Sequence, residues 1–336
     1  MTFRPIVIAH RGASGYRPEH TRAAYELAIE LGAEAIEPDI VATSDGVLVL
    51  RHENEISGTT NVAFLPKFAD RKTTKVIDGI EYEGWFTEDF TWAELSTLRA
   101  AERLPGIRRG SATFIGGGGI LRLSDLLELI DAAGRPIILV AEIKHPTYFA
   151  SIGLSLDELF AAAIKDWATP VNLIVESFEK SVLGRIRARG IPGQYVYLLE
   201  DEGCPPDYVA ALGGNAPTYA SFLTDDGLAS LVGEVDGISV PKSLILRTDD
   251  SGNVMGVTGL VRRAHALGLT AWVWTLRAEN HFLAPNLRKG TADAAYGEWE
   301  TEFRMIMATG VDGVFADQPD LALRARASGA EVGRPA

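Results

Sequence analysis

Short apolar runs rich in β-branched residues recur along the chain, and stretches with helical periodicity separate many of them. In residues 20–31, for example, apolar residues recur every three or four positions and Gly32 then provides a stop. Strands that alternate with helices in this way are typical of a parallel sheet. The apolar runs predict strands at residues 6–9, 35–41, 47–52, 137–142, 173–176, 195–199, 237–240, 270–275 and 313–316.

The number of these strands favours a closed α/β barrel. Eight of them fit a (β/α)8 TIM barrel, and the run at 47–52 is then an extra strand or an extension beside the second strand. A doubly wound sheet fits the same alternation nearly as well. The 336 residues suit a single barrel domain over 1–336, since barrels of about 200 to 400 residues form one domain.

Residues 53–121 do not show the alternation of strands and helices found in the rest of the chain. They carry polar residues in irregular order, one helix-like piece at 91–101 and a run of four glycines, Gly116–Gly119. The glycine run neither follows a clear strand nor ends in Gly-Lys-Ser/Thr, so it indicates a flexible loop rather than a phosphate cradle. We expect an inserted subdomain after the second strand region, on the loop side of the barrel. A smaller departure covers residues 277–296.

Composition and charge exclude several classes of partner. With 46% hydrophobic and 23% charged residues, the chain has the composition of a packed globular protein. The longest strongly apolar run, 137–141, is far shorter than the roughly 20 residues that cross a bilayer, so we expect no stable membrane insertion. The net charge of −13 disfavours nucleic acid and anionic membrane surfaces as partners.

Cysteine content and the first residues bear on the compartment. Cys204 is the only cysteine, so neither an internal disulfide nor a zinc-thiolate cluster can form. Only residues 6–9 are apolar before His10, which is too short for the apolar region of a signal peptide. We expect a cytoplasmic protein, or a periplasmic or secreted one if a leader has been removed.

Carboxylates at strand ends predict a metal site. Glu37 and Asp39 are two positions apart on a predicted strand, so their side chains share a face. Two carboxylates buried together repel each other unless a cation neutralises them, which indicates Mg2+ or Ca2+. The alternative is that the strand ends at Ile36 and both acids are solvated. Glu142 ends another apolar run and brings a third carboxylate to the same mouth of the barrel.

Basic and imidazole groups accompany these acids. Lys144 lies two residues after Glu142, so the two side chains share a face of the strand. Its charge indicates a contact with a phosphate oxygen or, alternatively, a plain salt bridge to Glu142. His10 and His52 also end strands, so they lie at the same mouth and form a candidate acid-base pair. The remaining histidines have no comparable setting and are predicted to be surface or helix residues: His20, His145, His265 and His281.

A series of motifs identifies a family. The first motifs are Ile8-Ala-His-Arg-Gly-Ala, Pro18-Glu-His-Thr, Gly32-Ala-Glu-Ala-Ile-Glu-Pro-Asp and Asp45-Gly-Val-Leu-Val-Leu-Arg-His. The later ones are Glu142-Ile-Lys, Glu176-Ser-Phe, Trp272-Val-Trp-Thr and Gly310-Val-Asp-Gly-Val-Phe-Ala-Asp. In this order and spacing they resemble the glycerophosphodiester phosphodiesterase family over nearly the whole chain. The long insertion is similar to that of the larger variant typified by periplasmic bacterial members.

The resemblance implies a (β/α)8 barrel that uses one divalent cation, Ca2+ or Mg2+, to hydrolyse glycerophosphodiesters to glycerol 3-phosphate and an alcohol. It also implies specific roles: His10 and His52 as the acid-base pair, Glu37, Asp39 and Glu142 as metal ligands, Arg11 and Lys144 at the phosphate, and Phe178 and Trp274 as walls for the glycerol. The sequence departs from the family's usual Pro-Glu-Asn-Thr at His20 and from its common His-Asp at Glu53.

Three other functions compete with this interpretation. A phospholipase-D-like relative would act on lysophospholipids and would need an exposed apolar rim. A non-catalytic barrel binding module would not need the intact set of histidines and acids. A barrel aldolase or isomerase would normally use a lysine or an acid without two histidines at matching strand ends. A small-molecule diester is the expected partner, and a homodimer is left open.

Overall fold

The fold is known from a computed structural model, which describes residues 4–114 and 118–331. Gly116 and Gly117 of the glycine run lie outside the described residues, so the flexible loop expected there stays a prediction. The strands are β1 (Ile6–His10), β2 (Ala35–Glu37), β3 (Asp39–Ala42), β4 (Leu48–Leu50), β5 (Thr73–Ile77), β6 (Ile80–Gly84), β7 (Ile138–Ile143), β8 (Leu173–Ser177), β9 (Gln194–Leu198), β10 (Gly237–Pro241), β11 (Leu246–Thr248), β12 (Val254–Val257), β13 (Thr270–Leu276) and β14 (Gly313–Ala316).

Helices of very different length connect these strands. The α-helices are α1 (Arg22–Glu30), α2 (Trp92–Leu95), α3 (Arg109–Ala112), α4 (Leu123–Asp131), α5 (Pro146–Ser151), α6 (Leu156–Ile164), α7 (Lys180–Ala188), α8 (Pro206–Leu212), α9 (Tyr219–Phe222), α10 (Asp225–Leu231), α11 (Leu260–Ala266), α12 (Trp299–Met307) and α13 (Pro319–Glu331). Short 3-10 helices cover Val62–Phe64, Pro66–Arg71, Thr87–Asp89, Gly213–Asn215, Lys242–Leu244, Asn280–Phe282 and Pro285–Leu287. No helix among the described residues is long and apolar enough to cross a membrane.

The main sheet closes on itself as a parallel barrel. Its strand order is β2-β1-β14-β13-β10-β9-β8-β7-β3, and a further pairing of β2 with β7 completes the circle. β2 and β3 together fill one of the eight positions. A doubly wound sheet has two open edges, so this closure confirms the predicted (β/α)8 barrel over the alternative.

The second barrel position differs from the prediction, which placed one strand at 35–41. β2 ends at Glu37 and β3 begins at Asp39, because Pro38 between them has no backbone N–H to donate to a neighbouring strand. The carbonyl of Pro38 still accepts a hydrogen bond from the backbone N–H of Glu142 at 3.0 Å. β4 pairs antiparallel with β3, which confirms the extra strand.

An apolar layer fills the inside of the barrel, and it fixes which residues face the mouth. Ile8, Ala35, Val140, Ile174, Val196, Trp272 and Phe315, one from each of seven barrel strands, form one buried cluster. Side chains of a strand alternate between its two faces. The residue two positions further along each strand therefore also points inward, at the carboxyl end where barrel enzymes place their chemistry.

Helix α1 begins two residues later than predicted, and His20 is the reason. His20 has a left-handed backbone conformation with φ of 58°, so the helix cannot include it. Thr21 is the N-cap, and its side-chain oxygen accepts a hydrogen bond from the N–H of Ala24 at 3.2 Å. The helix then runs from Arg22 to Glu30.

The inserted segment (residues 53–121) contains the β5–β6 hairpin, short 3-10 helices, α2 and α3. The helix-like piece expected at 91–101 is only the four residues of α2, which Thr91 and Glu94 cap reciprocally. The helix ends at Leu95, and Ala100 further along forms an isolated bridge with Thr60. The division into one domain with an inserted subdomain stays a prediction.

Candidate active site

A cavity of about 420 Å³ opens among the carboxyl ends of the barrel strands. Eight of the nine site residues predicted from the sequence line it: His10, Arg11, Glu37, His52, Glu142, Lys144, Phe178 and Trp274. The ninth, Asp39, is buried beside Arg11 and Lys144. Strand alternation explains this convergence, because Glu37, Glu142 and Trp274 each follow an inner-layer residue by two positions.

Three buried carboxylates approach one another in this cavity. Glu37, Glu142 and Glu176 each offer one oxygen within 4.8 Å of the others. Glu142 on β7 stands directly opposite Glu176 on β8 in the strand register. Glu176 was not among the predicted metal ligands. The signal that could have found it is the one that found Glu142, an acid that ends an apolar strand.

The three carboxylates are held in an environment that disfavours their negative charge. Burial raises the pKa of Glu142 to about 8, against the opposing effect of Lys144. Burial, with repulsion from Asp39, raises the pKa of Glu37 well above its usual range. Burial and the charge of Glu142 do the same to the pKa of Glu176. A bound cation would reverse this penalty, since an opposite charge favours the ionised form.

The residues present fit a divalent cation. Glu37 Oε1, Asp39 Oδ1 and Glu176 Oε2 are buried and accept no hydrogen bond from any residue that the structure describes. Buried oxygen acceptors without a donor are costly unless something else satisfies them. Carboxylate oxygens are the ligands that Ca2+ and Mg2+ prefer.

Asp39 is also tied to positive groups. Its Oδ2 lies 3.1 Å from Arg11 Nε and 2.9 Å from His20 Nε2, and its Oδ1 lies 3.8 Å from Lys144 Nζ. Although burial alone would raise it, the neighbouring charge of Arg11 holds the pKa of Asp39 well below its usual range. Asp39 is therefore ionised at neutral pH, and its role as a metal ligand stays a prediction.

The expectation that His20 is a surface or helix residue was wrong. His20 is fully buried, and its Nδ1 lies 2.8 Å from the hydroxyl of Tyr25 while its Nε2 faces Asp39. The backbone N–H of His20 donates to the carbonyl of Arg11 at 3.1 Å, which draws this loop onto the mouth of the barrel. His265 and His281 are exposed, as expected. His145 is the residue just before α5, and its Nδ1 lies 2.5 Å from Asp78 Oδ2.

Each histidine of the predicted acid-base pair is held by a carboxylate. His10 Nδ1 lies 2.6 Å from Asp317 Oδ1, and His52 Nδ1 lies 2.5 Å from Glu53 Oε1. With Nδ1 engaged, Nε2 is the ring nitrogen left for chemistry. Burial, reinforced by the charge of Arg11, lowers the pKa of His10 to about 4 and that of His52 to about 3, so the cavity by itself favours the neutral form of both rings.

The chain matches the model of the Glycerophosphoryl diester phosphodiesterase family over residues 10–321. It belongs to this family. Glycerophosphodiester phosphodiesterase GDPD6 of Arabidopsis thaliana is 31% identical over 324 residues, which are 94% of this chain and 84% of that protein. Membership confirms the family resemblance found in the sequence and the assignment of the chain to the phosphodiesterases.

Solved structures of similar fold agree with the barrel. An Oleispira antarctica phosphodiesterase, in complex with the product sn-glycerol-3-phosphate, superposes with a TM-score of 0.62 at 19% identity, covering 96% of this chain and 97% of that one. A glycerophosphodiester phosphodiesterase from Parabacteroides distasonis gives a TM-score of 0.60 at 18% identity and covers 98% of this chain and 100% of that one.

Two positively charged side chains of this family member, those of Arg11 and Lys144, line the cavity. Arg11 pairs with Glu19 at 3.1 Å as well as with Asp39. Lys144 Nζ lies 2.7 Å from Glu142, so the salt bridge considered as the alternative is present. Although burial lowers it, Glu142 and Asp39 raise the pKa of Lys144 to about 12, and the lysine is charged at neutral pH.

The two predicted aromatic wall residues of this phosphodiesterase contact each other. The rings of Phe178 and Trp274 meet edge to face, with centroids 6.0 Å apart. Lys144 Nζ lies 5.4 Å from the centroid of Phe178. The aromatic surface and the lysine charge are therefore adjacent in the cavity.

The two carboxylates that hold the histidines, Asp317 and Glu53, were not predicted as site residues from the sequence. Asp317 follows the inner-layer residue Phe315 by two positions, so strand alternation could have placed it at the mouth. Glu53 was noted only as a departure from the family's usual aspartate. Its longer side chain reaches both His52 Nδ1 and Arg103, at 2.5 and 2.7 Å.

Proposed function

We propose that this protein hydrolyses glycerophosphodiesters to glycerol 3-phosphate and an alcohol, using a divalent cation and two histidines. The observation that carries the proposal is the arrangement of His10 and His52, each held at Nδ1 by a carboxylate, around one cavity that also contains the buried acids. Family membership and the name of the Arabidopsis relative support the reaction class.

The two histidines supply the proton transfers. One histidine is neutral and takes the proton of the attacking hydroxyl at Nε2. The other must carry a proton on Nε2 as well as on Nδ1, a form that the bound anionic diester favours, and it delivers the Nε2 proton to the oxygen that leaves phosphorus. The attacking hydroxyl belongs to water or to the neighbouring glycerol carbon, which would give a cyclic phosphate that is opened later. Because each Nδ1 is already bound to a carboxylate, the rings are oriented before substrate arrives.

Glu37 and Glu142 would hold the cation, together with Asp39 as predicted from the sequence and Glu176 as the cluster suggests. When bound, a divalent cation offsets the negative charge of the phosphate oxygens and acidifies a nearby hydroxyl. Its presence would also relieve the repulsion among these carboxylates. Full ionisation of these carboxylates at neutral pH then requires the bound cation.

The positive and aromatic groups orient the diester. Arg11 and Lys144, both charged, would hold the phosphate against the net negative charge of the chain. Phe178 and Trp274 would pack against the carbon skeleton of the glycerol. Each of these residues lines the same cavity.

A substrate panel tests this function. Glycerophosphocholine, glycerophosphoethanolamine and lysophosphatidylcholine are compared with Ca2+ or Mg2+ present, and the released choline or ethanolamine is measured. Glycerol 3-phosphate is measured as well for the two deacylated diesters, because the lysolipid would instead give an acylated glycerol phosphate. We expect turnover of the two deacylated diesters and poor turnover of the lysolipid. Faster turnover of the lysolipid would favour the phospholipase-D-like alternative, and no turnover of any diester would favour a binding module.

A further inference from the structure

Two arginines of the inserted segment contact the carboxylates that hold the histidines. Arg103 forms paired hydrogen bonds with Glu53, from Nη1 to Oε1 at 3.0 Å and from Nη2 to Oε2 at 2.7 Å. It forms a second pair with Glu19, from Nε at 2.9 Å and from Nη2 at 2.7 Å. Glu53 Oε1 is also the oxygen that meets His52 Nδ1.

The second arginine repeats this relationship at the other histidine. Arg108 Nη2 donates to Asp317 Oδ2 at 2.6 Å, while Asp317 Oδ1 lies 2.6 Å from His10 Nδ1. Arg108 Nε donates to Glu279 at 2.8 Å, and its Nη1 donates to the carbonyl of Ser14 at 3.1 Å. The guanidinium is buried, and it joins the inserted segment to the loops that follow β1 and β13.

The two series of contacts have the same order. In each, an arginine of the inserted segment binds a carboxylate, and that carboxylate binds the Nδ1 of a histidine. We propose that Arg103 and Arg108 are positioning residues, each of which orients one catalytic histidine through the carboxylate bound to it. The inference rests on the proposed function, since it takes the two histidines as the acid and the base. The inserted segment then aligns the catalytic groups.

Charge and geometry explain how an arginine can act through a carboxylate. A guanidinium presents its donors in a rigid plane, so a paired contact fixes the rotation of the carboxylate as well as its position. The positive charge also favours the ionised carboxylate, which can only accept a hydrogen bond. The histidine must therefore donate from Nδ1, which turns Nε2 to the cavity, where it accepts a proton in the base and donates one in the protonated acid.

The two arginines differ in how completely they control their carboxylate. Asp317 has a second cationic partner, Arg277, whose Nε lies 2.7 Å from Oδ2. Glu53 has Arg103 as its cationic partner among the described residues. We therefore expect loss of Arg103 to affect its histidine more than loss of Arg108 affects the other.

Substitution of each arginine by methionine tests the proposal in the full chain with Ca2+ or Mg2+ present. Arg109→Met is the matched control, because Arg109 adjoins Arg108 and is exposed. We expect Arg103→Met and Arg108→Met to lower kcat by about 10- to 100-fold, since a misplacement of about 1 Å can cost 100-fold. KM should change much less, because the histidines act on the transition state. The control should match wild type.

A second pair of variants keeps the test valid if methionine at a buried site prevents folding. Arg103→Lys and Arg108→Lys retain the charge but lose the planar, paired contact. We expect them to fold, as judged by circular dichroism and thermal melting, and to recover part of kcat. Lysine variants as active as wild type would show that charge alone suffices and would overturn positioning by the paired contact.

The leaving group distinguishes positioning from a general structural defect. A glycerophosphodiester with a 4-nitrophenyl leaving group needs little protonation of the departing oxygen, so a variant that lacks the acid should lose much less activity on it than on glycerophosphocholine. One of His10→Ala and His52→Ala should show this recovery. We expect Arg108→Met to follow His10→Ala and Arg103→Met to follow His52→Ala.

The outcomes separate the two proposals. If His10→Ala and His52→Ala keep wild-type kcat, the proposed function itself is wrong. If the histidine variants lose activity but the arginine variants resemble Arg109→Met, only the positioning role is wrong. Equal losses by both arginine variants on both substrates would indicate a structural defect and would likewise overturn the positioning role.

Discussion

Asp317 Oδ1 lies 2.6 Å from His10 Nδ1, although the two residues are 307 positions apart in the chain. The contact exists because β1 and β14 are neighbours in the closed barrel, with Ala9 opposite Ala316. Two positively charged side chains, Arg277 and Arg108, together with His10, hold the pKa of Asp317 well below its usual range despite its burial. The carboxylate that fixes the first histidine is thus delivered by the last barrel strand.

Replacement of either predicted catalytic histidine should abolish most of the activity. We expect His10→Ala and His52→Ala to lower kcat by roughly 10² to 10⁴, the usual contribution of a positioned acid or base. Thermal melting should stay close to that of wild type. A variant that unfolds would instead indicate that the histidine stabilises the barrel.

Metal removal should have an equally large effect. Treatment with a chelator should abolish activity, because the buried carboxylates of Glu37, Glu142 and Glu176 cannot share one cavity in ionised form without a cation. Addition of Ca2+ or Mg2+ should restore it, and titration of each ion shows which one the site prefers. Full activity of the metal-free protein would contradict the prediction.

Substitution of Glu176 tests its membership in the ligand set. We expect Glu176→Gln to weaken cation binding by about 10-fold or more, the scale of effect seen when groups around a metal are lost. Isothermal titration of the metal-free variant with Ca2+ or Mg2+ measures this directly, with Asp39→Asn titrated alongside. Unchanged affinity in Glu176→Gln would leave Glu37, Asp39 and Glu142 as the ligands, as predicted from the sequence.

Glu179, which lies outside the acid cluster, should make the stability of the protein depend on pH. Its carboxylate is buried and accepts a hydrogen bond from the N–H of Thr147 at 3.2 Å. Burial, with repulsion from Asp78 and Asp207, raises its pKa to about 8. A raised pKa means that the folded state prefers the protonated form. Its contribution to stability is complete below about pH 4.5 and is lost as pH rises through 8.

The substitution Glu179→Gln keeps an amide oxygen for the Thr147 contact and removes the titration. We expect it to raise Tm at pH 9 by at least about 2 °C, which corresponds to roughly 1 kcal/mol in a large domain. The difference from wild type should shrink steadily toward pH 5, as measured by thermal melting across this range. A Tm difference that is the same at both pH values would show that the carboxylate does not titrate as described.

Local pattern was sufficient for a parallel α/β sheet and for much of the mouth, whereas the choice of a barrel over a doubly wound sheet rested on the family motifs. Alternating strands and helices predicted the parallel sheet, because hydrophobic periodicity is set by neighbouring residues along the chain. The acid at the end of the apolar run 137–141 and His10 at the end of β1 were placed correctly in the cavity for the same reason. His52 also lines the cavity, but it follows β4, whose antiparallel pairing with β3 was not predicted. Pro38 was visible in the sequence, but its division of the second strand was not predicted.

The sequence by itself therefore determined the fold, the family and the residues that converge on the cavity. Only the tertiary structure decided which partner each of them meets: Tyr25 and Asp39 for His20, Asp317 for His10, and the arginines of the inserted segment for the carboxylates. Except for Tyr25, which is five positions from His20, these partners are 19 to 307 positions apart in the chain. They depend on barrel closure and on the path of an irregular segment, and neither leaves a periodic signal in the chain.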